Sequence, residues 1–83
     1  MALSIKVQDV LPLDNATLLV TFENGVKKKY DVKILFDSFE NYKKLLDVNF
    51  FNNVKVDCGG YAICWDDEID ISEVELWENG IEI

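Results

Sequence analysis

Eighty-three residues, nearly half of them apolar and ten of them aromatic, suffice for one buried core and are too few for two. A net charge of −8 with neither arginine nor histidine argues against direct nucleic-acid binding, which leans on arginine, and against a structural zinc site. The longest apolar runs fall far short of the roughly 20 residues a membrane-spanning helix needs, so no membrane role is expected.

The charge is unevenly placed. All eight basic residues are lysines, and the last is Lys55. Nine acids and no base follow from Asp57 onward. The N-terminal segment, Met-Ala-Leu-Ser-Ile-Lys, lacks the basic start and long apolar stretch of a signal peptide, so a cytoplasmic location is expected. Cys58 and Cys64 are then expected to stay reduced. No repeat or linker is visible, and residues 1–83 read as a single domain.

Leu3, Ile5 and Val7 alternate with Ser4, Lys6 and Gln8, the two-residue period of a half-buried strand. Asp9 breaks the alternation, which predicts a bulge or a strand end there. Residues 13–16 read as a turn. Thr17 to Phe22 and Val26 to Val32 then form a hairpin around Asn24-Gly25. A two-residue loop would put Phe22, Val20 and Leu18 on the face of Lys27, Lys29 and Asp31. A three-residue loop pairs Phe22 with Val26 instead and gathers Leu18, Val20, Phe22, Val26, Tyr30 and Val32 on one face. Burial favours the second register, with Lys27 and Lys29 facing water.

Ser38 to Asp47 reads as a short helix, with Ser38 as N-cap and Phe39, Tyr42, Leu45 and Leu46 as its buried stripe. Val48 to Phe51 is an apolar connector anchoring it to the sheet. Val54 to Cys58 and Tyr61 to Trp65 form a second hairpin turning at Gly59-Gly60. Its register pairs Cys58 with Tyr61, Val56 with Ile63 and Val54 with Trp65, all six facing the core, and Lys55 with Cys64 on the other face. The two thiols then point to opposite sides, too far apart to bridge. Ser72 and Glu75 have capping-box spacing at the start of a final helix, with Ile71 and Leu76 as a hydrophobic staple and Asn79-Gly80 as the stop. The whole is an α+β domain in the order β-β-β-α-β-β-α, an antiparallel sheet of about five strands packed on short helices.

In this arrangement Ile5-Lys6-Val7, Phe22-Glu23-Asn24-Gly25, Tyr30-Asp31, Phe50 or Phe51, Val54-Lys55-Val56-Asp57, Gly60, Ile63, Trp65, Asp70-Ile71, Leu76 and Gly80 follow one another in an order and spacing that resemble a small bacterial family. This family is the domain of unknown function 2442, whose fold is similar to the N-terminal domain of a nitrifier protein. The resemblance spans nearly the whole chain. The family tends to carry an Asn-Gly turn between its tryptophan and its aspartate. Here Asp66-Asp67-Glu68-Ile69 stands in that place, a more acidic loop. The resemblance implies no catalytic residues. It implies a partner, a second small protein encoded beside it in an arrangement like a toxin–antitoxin pair. Some related domains are joined to a helix-turn-helix.

Asp66, Asp67, Glu68 and Asp70 invite a calcium or magnesium reading, but their spacing does not match an EF-hand loop. Asp70 also fits a structural turn before the final helix, where negative charge suits the helix dipole. No histidine, nucleophile elbow or phosphate loop accompanies the acids, and neither cysteine has a histidine to activate it. No enzyme activity, cofactor or metal is therefore expected. Lys27-Lys28-Lys29 alternates faces on a strand and reads as a solvated edge. Trp65 reads as core; Trp77 is either core or a partner anchor, with core packing favoured.

The expectation is a non-catalytic interaction module, monomeric or homodimeric, whose candidate partner-binding residues are Asp66, Asp67, Glu68, Asp70 and Glu73. Its partner would be a small basic protein. The alternative is a regulatory accessory domain acting with a separate helix-turn-helix DNA-binding protein.

Overall fold

The first hairpin sets the frame. In the computed structural model, which describes residues 5–66 and 68–83 without the side chain of Cys58, β1 (Val7–Leu13) pairs antiparallel with β2 (Thr17–Phe22), and β2 with β3 (Lys27–Asp31). Leu3 and Ser4, part of the predicted alternation, lie outside the described residues. Leu18 pairs with Tyr30 and Val20 with Lys28, and the Phe22 amide donates to the Val26 carbonyl at 2.9 Å. This is the three-residue-loop register. Leu18, Val20, Phe22, Tyr30 and Val32 are fully buried, and Val26 half so. The register of β1 against β2 slips between Val7 and Asp9, a bulge where the alternation broke.

Val32 does not continue β3. The Asp31 carboxylate accepts from the Lys33 amide at 2.9 Å and turns the chain into a 3-10 helix, Val32–Leu35. A second 3-10 helix, Glu40–Leu46, occupies most of the predicted helix. It starts from Phe39 without a side-chain cap, so Ser38 is not the N-cap. Its tighter winding changes the buried stripe. At three residues per turn Tyr42 and Leu45 share a face, while Leu46 lies about 120° away. Leu45 is buried, whereas Leu46 and Phe39 are more than half exposed. Phe39 packs edge-on against Tyr42 at 5.7 Å instead of entering the core. The Asp47 carboxylate then accepts from the Asn49 and Phe50 amides and starts α1 (Val48–Phe51), which inserts Phe51 into the core.

β4 (Lys55–Asp57) and β5 (Ala62–Cys64) pair in the predicted register, Val56 opposite Ile63 and Lys55 opposite Cys64. Gly59 at φ 67° and Gly60 at φ 99° form the connecting turn, both in the left-handed region that a two-residue hairpin loop needs. The burial of this hairpin is less complete than predicted. Ile63 and Trp65 are buried, Val54 and Val56 are half-buried, and Tyr61 is 48% exposed. Instead of entering the core, the Tyr61 ring lies under Lys6, with Nζ 5.0 Å from the centroid. The side chain of Cys58 lies outside the described set, and with it the predicted opposition of the two thiols.

Two further strands divide the sheet. β6 (Asp70–Ser72) pairs with β5, and β7 (Ile81–Glu82) pairs with β3. Among the described residues there are thus two antiparallel sheets, ordered β1-β2-β3-β7 and β4-β5-β6, in place of one sheet of about five strands. The class remains α+β. The two sheets share one core that includes Val7, Leu18, Phe22, Ile63, Trp65 and Ile71.

Between β6 and β7 runs α2 (Glu73–Asn79). The Ser72 hydroxyl accepts from the Glu75 amide at 3.3 Å, and Ile71 and Leu76 are buried as a staple requires. The Glu75 carboxylate does not turn back to the cap; it accepts from the Tyr30 hydroxyl at 2.7 Å and from Asn79 at 2.8 Å. Trp77 packs edge-on against Phe22 at 4.9 Å, and Lys28 sits over its other side at 4.0 Å from the ring centroid. Core packing therefore accounts for Trp77. The helix stops at Gly80 without a left-handed residue, since φ there is −75°. Space decides that position: a Cβ would stand 2.5 Å from the Leu76 carbonyl oxygen and 3.1 Å from the Lys28 Cβ.

Candidate functional site

The outward face of the three-stranded sheet collects polar chemistry. Lys55, Cys64 and Asp70 stand in one row across β4, β5 and β6, and Asp57, Ala62 and Ser72 in the next. Side chains two apart on a strand share a face, so Lys55, Asp57, Cys64 and Asp70 all point the same way. With Asp66 they line a hollow of about 290 Å³.

Cys64 forms the floor of this hollow. It is only 6% exposed although it faces away from the shared core, because the surrounding polar side chains cover it. Burial pushes its thiol pKa up, and a hydrogen bond to Asp57 and the Asp57 charge push the same way; Lys55 opposes them. A protonated thiol donating to a carboxylate is a poor nucleophile.

The Asp66 carboxylate accepts from the Glu68 amide at 2.8 Å and the Ile69 amide at 2.9 Å. Together with the Trp65 amide donating to the Ile69 carbonyl at 3.0 Å, it closes the loop between β5 and β6. Ile69 is fully buried and pins that loop to the core. Asp70 is an exposed strand residue, not a turn residue, and its carbonyl accepts from the Tyr42 hydroxyl at 2.7 Å.

Of the residues predicted to meet a partner, Asp66 and Asp70 are brought together, and Glu68 is exposed on the same loop. Glu73 is 7% exposed, so its carboxylate is not part of an open surface. Asp67 lies outside the described residues. Sequence reasoning missed Lys55, Asp57 and Cys64 as neighbours of these acids. The predicted register already placed Lys55 opposite Cys64; only β6 was needed to bring Asp70 beside them. Among the described residues no group of three or more acids and cysteines has a geometry that holds a metal ion. Nor, among them, is any helix long and apolar enough to cross a membrane.

Two tyrosines elsewhere in the fold also hold their protons tightly. Burial, and then the hydrogen bond to Glu75, raise the pKa of Tyr30 well above its ordinary value of 10.0. Burial and the charges of Asp70 and Glu75 raise that of Tyr42. Groups that hold protons more tightly when folded stabilise the fold below their unfolded pKa, and that contribution is lost as pH rises above it. Stability should therefore be level to about pH 8.5 and fall progressively above it, as unfolded cysteine and then tyrosine ionise while the folded groups hold their protons. Tyr30→Phe should be the less stable protein at neutral pH and should lose less on alkalinisation. Urea midpoints across the range check this, and parallel curves for the two proteins would refute it.

No curated protein and no solved structure matches the chain. One family does: the profile of the proteins of unknown function DUF2442 matches residues 7–82. That match covers nearly the whole chain, and the chain belongs to this family.

Proposed function

We propose that this chain is a small non-catalytic, cytoplasmic interaction module that receives a basic partner on the outward face of its three-stranded sheet. The observation that carries the reading is the convergence of Asp57, Asp66 and Asp70 on one hollow, with Lys55 as the cation among its described lining residues and Glu68 exposed on the loop between β5 and β6. A lysine or arginine side chain is the complement of that lining. Nine acids after Lys55 with no intervening base add a long-range attraction that speeds encounter. The partner is a small basic protein encoded beside this chain, as in a toxin–antitoxin pair.

Co-expression and pull-down with the neighbouring gene product tests it. Capture should be strong at about 0.1 M salt and weak at about 1 M, where the screening length falls from about 10 Å to about 3 Å. Glu68→Lys combined with Asp70→Lys should weaken capture at least tenfold while leaving the circular dichroism spectrum unchanged. Capture that ignores both salt and the double substitution would sink the proposal. A captured neighbour that carries a helix-turn-helix would favour the regulatory accessory role instead.

A further inference from the structure

Among the described residues no helix packs on the outward face of the four-stranded sheet. α2 lies against the opposite side, where Leu76 is buried and Trp77 meets Phe22. The strand registers place the open face in rows. One row is Asp9, Thr21 and Lys27; the next is Leu11, Leu19, Lys29 and Ile81. Leu11 is 50% exposed and Ile81 73%, with Leu19 half-buried between them on the central strand. Asp31 on the same face is already bridged by Lys33 at 3.0 Å. Asp9, Lys27 and Lys29 have no ion-pair partner among the described residues.

From this pattern we infer that the open face is a self-association surface and that its occupant is a second copy of this chain. Charge makes the choice. Each copy carries −8, most of it from the acids after Lys55, so two copies repel through those surfaces. On this face Lys27 and Lys29 balance Asp9 and Asp31. A two-fold axis lying along β2 sets β1 of one copy over β3 of the other. Asp9 and Lys27 share a row on either side of Thr21, so the axis brings each Asp9 over the partner's Lys27, twice. Leu19 meets its own copy at the centre, and Leu11 meets the aliphatic stem of Lys29. Aligned packing of two sheets about 10 Å apart accommodates this.

The face measures about 20 by 15 Å at ordinary strand spacings, below the roughly 800 Å² per partner of a standard interface, so the dimer is weak. It uses neither Asp66 nor Asp70 and stands or falls apart from the acidic hollow.

Sedimentation equilibrium of the full chain, from about 10 µM to about 1 mM, spans the range of weak complexes. A monomer–dimer equilibrium is expected within it. Lys27→Glu and Asp9→Lys should each weaken association at least tenfold, and the double exchange should restore it to within about threefold. Leu11→Lys, at an exposed position, should also abolish the dimer and serves if Asp9→Lys at the bulge fails to fold; circular dichroism checks each variant. A single 9.5 kDa species at 1 mM would overturn the inference. So would association untouched by these changes, a double exchange no better than its singles, or growth past the dimer.

Discussion

Replacing Trp65 with alanine is expected to cost about 3–5 kcal/mol, the range for emptying a large buried aromatic site. Three things are lost together. The indole is 6% exposed and stacks on Phe51 at 6.1 Å with 25° between the rings. Its N–H donates to the Phe51 carbonyl at 2.8 Å, inside the core. That bond ties the residue after β5 to the end of α1, so the alanine protein loses a buried hydrogen bond as well as gaining a cavity. For a chain of this size, such a loss is a large share of the whole stability. Trp65→Phe keeps most of the volume and should cost less than half as much. Thermal unfolding of the two variants separates packing from the hydrogen bond. A phenylalanine protein as unstable as the alanine one would show that the bond dominates.

Gly60→Ala should cost about 2–5 kcal/mol although it adds only one methyl. Its φ of 99° is costly for any residue with a Cβ, by about 1–2 kcal/mol. A methyl there would also stand 2.8 Å from the Val7 carbonyl oxygen and 3.0 Å from the Lys6 Cβ. Val7 opens β1 and Lys6 immediately precedes it, so the clash drives the two sheets apart, adding about 1–3 kcal/mol of overpacking. Gly59→Ala is the control. It carries the same kind of backbone strain at φ 67°, but nothing lies within 4 Å of its Cβ. The difference between the two denaturation midpoints measures how closely the sheets approach. Equal midpoints would mean that backbone strain alone accounts for both glycines.

The parts of this fold that were legible in the chain share a property. Each rests on a two-residue period strong enough that a one-residue slip would expose a whole apolar set. The three-residue loop after Phe22, the Lys55–Cys64 register and the bulge at Asp9 were read in that way. What escaped were elements too short to have a period. β6 has three residues and β7 two, and Asp70 and Glu82 look like solvent-facing acids until pairing places them. The helix after Ser38 was misjudged for a related reason. The spacing of Tyr42, Leu45 and Leu46 suits an α-helix, but the chain winds at three residues per turn and turns Leu46 outward. The acids of the candidate site were visible as composition. Their neighbours Asp57 and Cys64 were not, because only tertiary pairing puts them on the same face.

The turn at Asp66 has a consequence for how this surface can change over time. Both of its backbone bonds are accepted by a single oxygen, Oδ1. An asparagine presents an equivalent carbonyl oxygen there, so the loop's shape requires an acceptor and not a charge. Geometry and electrostatics are therefore separable at this position. Exchanging acid for amide would retune the attraction for a basic partner while the backbone stays where it is. A lineage can adjust whom this surface meets without rebuilding the turn that carries it.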